Sequence, residues 1–141
     1  MGIKEENQVI ISGWIKTAQD EFTAYKIIQK SEPDYRILFR QKYNALCQSL
    51  ELALKAFLIS KGLSVKDVKA IGHDLIKLID TARTQYSLMI SPKTYGMIMM
   101  LNPTYKSRQL LYFEKQYALP SDINILANTT RLLISKITFD N

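Results

Sequence analysis

The chain has 141 residues, 47% of them hydrophobic and 23% charged, the size and balance of one globular unit without the long single-sign runs of a disordered chain. We therefore expect a single domain over residues 1–141. The net charge of +6 is unevenly spread, with four lysines against six acids in residues 1–34 and fifteen Lys and Arg against seven acids in residues 35–141, so the later part carries a field that draws phosphate-bearing partners and weakens with salt.

In the first predicted helix Ile11, Trp14, Ile15, Ala18, Phe22 and Tyr25 recur at three- and four-residue steps, one stripe of a helix that ends near Ser31-Glu32-Pro33. A second begins near Asp34 and places Phe39, Tyr43, Leu46, Cys47, Leu50, Ala53, Leu54, Phe57 and Leu58 on one broad face, with Glu51 and Lys55 as an acid-before-base pair on the opposite side. Gly62 stands where a left-handed cap belongs. Ser64-Val65-Lys66-Asp67 then has the form of an entry to a short helical turn.

A third main helix starts around His73 or Asp74 and runs through Leu75, Leu78, Ile79, Ala82 and Tyr86, with Asp74 as its cap. Ser91-Pro92 opens a fourth, short segment that Asn102-Pro103 closes. Residues 104–119, with Tyr105, Tyr112, Phe113 and Tyr117 among Lys106, Arg108 and Lys115, read as a long loop or a ragged helix. The last helix, announced by Pro120-Ser121-Asp122, carries Ile123, Leu126, Ala127, Thr130, Leu133, Ile134 and Ile137 on one face. No segment alternates at the two-residue period of a strand, so the expected class is all-α, an up-and-down bundle of four main helices plus a short extra one.

Counting removes most catalytic chemistries. One histidine and one cysteine exclude a poly-histidine metal site and a cysteine-cluster zinc site, and five scattered glycines make no phosphate loop; neither metal nor cofactor is expected. The lone Cys47 falls on an apolar stripe, where a thiol packs rather than reacts, and it fits a reducing compartment. Glu5-Glu6 falls in a terminus expected to fray and Asp20-Glu21 on a solvated face, so neither pair suggests a catalytic dyad. Acidic residues stand where a secretory signal would be basic, and no apolar run reaches membrane length; a cytoplasmic protein without membrane contact is the expectation.

Ser49-Leu50-Glu51-Leu52-Ala53-Leu54-Lys55-Ala56-Phe57-Leu58 ending at Gly62, then Gly72-His73-Asp74-Leu75-Ile76-Lys77-Leu78, then Leu101-Asn102-Pro103-Thr104-Tyr105 with Arg108, together resemble the HEPN superfamily of small prokaryotic helical domains over roughly residues 10–137. The resemblance implies a bundle of about five helices, commonly a homodimer, tied to nucleotide or RNA chemistry and paired in toxin–antitoxin or defence modules with small nucleotidyltransferases. Ribonuclease members place an arginine four to six residues before a histidine and cut RNA without metal across the dimer. The present chain departs from that pattern: Lys69 precedes His73 by four residues and Lys66 by seven, and no arginine lies between Arg40 and His73.

The expected function is accordingly a HEPN-like module that recognises nucleotide or RNA phosphate, or docks a nucleotidyltransferase, through a basic surface. Its candidate ligand-binding residues are Lys66, Lys69, Asp74, Tyr105 and Arg108. The alternative is an atypical metal-independent ribonuclease with His73 as acid and base. Each residue also has a structural reading: His73 bonding a backbone carbonyl at a helix start, Tyr105 and Arg108 anchoring a loop, and Met97, Met99 and Met100 as core or dimer surface.

Overall fold

A computed structural model describes residues 3–31, 35–108 and 123–140, and all regular structure among them is helical: α1 (Ile3–Ser31), α2 (Tyr35–Ser60), α3 (Val65–Ile71), α4 (Leu75–Tyr86), α5 (Pro92–Lys106) and α6 (Asn124–Asp140). The all-α expectation holds. Buried side chains from all six join in one core cluster. None of the described helices is long and apolar enough to cross a membrane.

α1 and α2 make the most extensive contact in the molecule. Ile11, Ile15, Ala18 and Tyr25 are buried as their stripe predicts, with Trp14 and Phe22 partly buried beside them. The seam is fastened by the buried Ser49 hydroxyl, which donates to the carbonyl of Ala18 at 2.7 Å. α1 starts at Ile3 and carries Glu5 and Glu6 in its first turn, so the fraying expected there is corrected: acids in that turn favour helix because they face its unpaired N–H groups.

α2 is the central element, touching α1, α3, α4 and α6. From Ala45 to Ile59 all its residues are buried except Gln48 and Leu52, which are partly so. The expectation of one apolar face opposite a solvated Glu51–Lys55 pair is therefore corrected. A helix covered on all sides has no solvent face, and the pair is enclosed, with Glu51 4% and Lys55 8% exposed.

Local signals place the shorter helices well. Ser64, Asp74 and Ser91 are the N-caps of α3, α4 and α5, accepting from the N–H groups of Asp67, Lys77 and Thr94. α5 departs from expectation, because Pro103 lies inside it and the helix continues to Lys106. A proline removes one N–H and crowds the preceding turn, but contacts of Asn102, Tyr105 and Lys106 hold the last turn in place. Met97 packs against the core while Met99 and Met100 are half-exposed. The aromatic and basic residues expected at 112–117 and the Pro120-Ser121-Asp122 entry lie outside the described residues.

Candidate functional site

The site forms where the turn between α3 and α4 meets α2 and α5. Gly72 ends α3 with a positive φ of 71° and donates its N–H to the carbonyl of Lys69, a conformation that glycine adopts without a Cβ penalty. The chain is thereby redirected so that His73 and Asp74, adjacent in sequence, serve two different clusters.

His73 lies over α2. Its Nδ1 is 2.9 Å from Glu51 Oε1, and its side chain remains 49% exposed. The same Glu51 oxygen accepts the Tyr105 hydroxyl at 2.7 Å, and Oε2 accepts Lys55 Nζ at 2.9 Å. The Tyr105 ring meets the imidazole edge-on, with centroids 6.4 Å apart and planes at 86°. Burial alone would raise the Glu51 carboxyl; hydrogen bonds from Tyr105, His73 and Lys55, with the Lys55 charge, outweigh it and hold the group below its ordinary value. An ionised carboxylate only accepts hydrogen bonds, so His73 donates from Nδ1, and in the neutral ring Nε2 is left with its lone pair.

Tyr105 is buried at 2% exposure. Burial and the Glu51 charge push its phenol above the ordinary range, with Arg108 acting weakly in the opposite direction. Its hydroxyl is occupied by Glu51, so Tyr105 supports the imidazole from beneath instead of facing a ligand.

Asp74 organises the second cluster. Its Oδ1 accepts from the Lys77 N–H and from Asn102 Nδ2, both at 3.1 Å, and Oδ2 accepts from Lys106 Nζ at 3.1 Å. Burial opposes ionisation of Asp74, and these donors with the Lys106 charge more than offset it, so its carboxyl too sits below the usual value. Asn102 closes the arrangement by accepting the Leu75 N–H on Oδ1 at 2.8 Å. Asn102, Tyr105 and Lys106 stand at positions i, i+3 and i+4 of α5, one face of the helix, and that face supplies partners to both carboxylates.

Of the residues marked in the sequence, the structure brings together His73, Asp74 and Tyr105. Arg108 joins them at the end of α5, where it adopts a left-handed φ of 66° and donates its N–H to the Tyr105 carbonyl. Lys66 and Lys69 are exposed on α3, the helix leading into the His73 turn, and belong to neither hydrogen-bond cluster. His73 bonds a carboxylate and not the backbone carbonyl expected of a purely structural residue. Sequence reasoning missed Glu51, Lys55 and Lys106 and valued Asn102 only as part of a motif. The signal for the first two was a charged pair set inside the apolar run Ser49–Leu58.

Cys47 and His73 do not form a nucleophilic pair. Cys47 is fully buried, and burial, with a contribution from Glu51, pushes its thiol up to about 12. No cluster of three or more metal-ligating side chains occurs among the described residues. No protein-family model, curated protein or solved structure matches the chain.

Proposed function

We propose that this chain is a HEPN-like module that binds the phosphate groups of nucleotides or RNA on the surface around His73. In this reading its six described helices form a HEPN-like up-and-down bundle, dimeric, cytoplasmic and set in a toxin–antitoxin or defence system with a nucleotidyltransferase partner. The observation that carries the ligand half is the support given to His73: a buried carboxylate, itself held by two other side chains, orients an imidazole that is half in solvent. Burying a charge is costly, and such support is typical where an exposed ring must keep one orientation and one tautomer. Lys69 and Lys66 before His73, and Arg108 after Tyr105, supply the positive charge that phosphate recognition needs.

The test is titration with mononucleotides and short single-stranded RNAs at low salt, followed by fluorescence anisotropy and thermal shift. We expect RNA binding that weakens about tenfold between roughly 50 and 200 mM salt, and further weakening in Lys69→Ala and Arg108→Ala. Absence of both binding and thermal stabilisation would discard the ligand half of this reading.

A second reading is favoured by the same bond. With Nδ1 donating to Glu51, Nε2 is placed to accept a proton, as a general base in metal-independent RNA cleavage does. Incubation with mixed RNAs in the presence of a chelator decides it. Cleavage abolished in His73→Ala supports the nuclease, whereas no cleavage, or cleavage that survives the substitution, eliminates it.

A further inference from the structure

A second site lies apart from the His73 clusters, between the α4–α5 connection and α6. Ser87 ends α4 in a left-handed conformation, φ 57°, and the Leu88 N–H reaches back to the Ala82 carbonyl. This turn carries the connection outward and leaves a space of about 540 Å³ against α6. Its floor is core: Leu50, Ile79 and Leu133 are 0%, 1% and 5% exposed, while Met89 on the rim is 91% exposed.

The volume falls in the range of small-molecule sites, and the mixture of apolar floor and few polar groups is theirs as well. Over this floor Leu132 is 58% exposed and Leu88, Ile90 and Ile125 are partly exposed, apolar surface that a fitted body would remove from water. Among the described residues no Asp or Glu lines the space, and Lys136 is the one charged side chain on it. The Lys136 ammonium lies 5.9 Å from the Phe57 ring centroid and has no carboxylate partner among the described residues. Asn128, also on the lining, makes no side-chain hydrogen bond among the described residues.

We propose that this cavity binds a small anionic amphiphile, its aliphatic or aromatic body on Leu88, Ile125 and Leu132 and its carboxylate at Lys136 and Asn128. The ligand has about 10 to 20 non-hydrogen atoms, set by the volume. The proposal does not depend on the phosphate-binding reading, since the two sites share no residue.

Decanoate, decanol and decyltrimethylammonium, each below its micelle concentration, serve as probes for calorimetry and thermal shift on the full chain. Decanoate is expected to bind one to one and raise the melting temperature, decanol to bind more weakly and the cation weakest. Lys136→Gln should weaken decanoate about tenfold, the loss of one charge-assisted contact. Asn128→Trp, at an exposed position on the lining, should block the cavity and abolish binding with an unchanged circular dichroism spectrum. The proposal is overturned if decanoate does not bind, if the cation binds as tightly, or if either substitution leaves decanoate affinity unchanged.

Discussion

Glu51 links the chemistry of the site to the stability of the molecule. Three side chains converge on one buried carboxylate, and removal of its charge leaves the Lys55 ammonium enclosed without a counterion. Glu51→Gln is therefore expected to cost about 3 kcal/mol near neutral pH. The effect has a pH window. Because the folded-state value of Glu51 lies below its ordinary 4.5, its contribution is complete above that value and is lost as pH falls through the lower, folded one. Urea denaturation of wild type and Glu51→Gln at a series of pH values from 7 to 3 should show the stability gap shrinking toward acid. A gap that stays constant would mean that the ionised form of Glu51 is not what stabilises the fold.

At the level of elements, α5 acts as a clasp. Its Asn102 side chain ties the first N–H of α4 and the Asp74 cap together, and the Leu75 residue it serves is fully buried. An unsatisfied N–H there costs more than a cap lost at the surface, where water substitutes. Chemical denaturation should accordingly give Asn102→Ala a loss of about 2 kcal/mol and Ser64→Ala, at the exposed start of α3, about 1 kcal/mol or less. Equal losses would remove the special role of Asn102. The caps at Ser64, Asp74 and Ser91 were legible in the sequence because capping is decided within four residues. The run of α5 through Pro103 was not, because the contacts that hold its last turn come from Asp74, 28 positions before Asn102 and 32 before Lys106, and from Glu51, 54 before Tyr105. Enclosure of Glu51 and Lys55 was hidden for the same reason: the i,i+4 spacing is identical on a solvated and on a buried helix, and which one α2 is depends on how many helices surround it. His73 and Asp74 could be found from their position at a helix entry, but their partners could not.

For the molecule as a whole, α2 carries the core, and α5 is expected to join it late. α5 packs chiefly on α4 and α6, and its reach to α2 at the site is the Tyr105 hydroxyl, which spans 54 positions of sequence to Glu51. Contacts of such separation form after the local ones, since loop closure precedes any return from them. Tyr105→Phe should then speed unfolding while leaving the folding rate nearly unchanged in stopped-flow denaturant jumps; a folding rate that drops by the whole stability loss would place this bond in the nucleus instead. The Tyr105–Glu51 bond is thus expected to close near the end of folding. A brief release of α5 would withdraw the Tyr105 hydroxyl from Glu51 and the Tyr105 ring from the edge of the imidazole while the bond from His73 to α2 stays in place, so opening of one helix would loosen the ring's setting and leave its carboxylate partner unchanged.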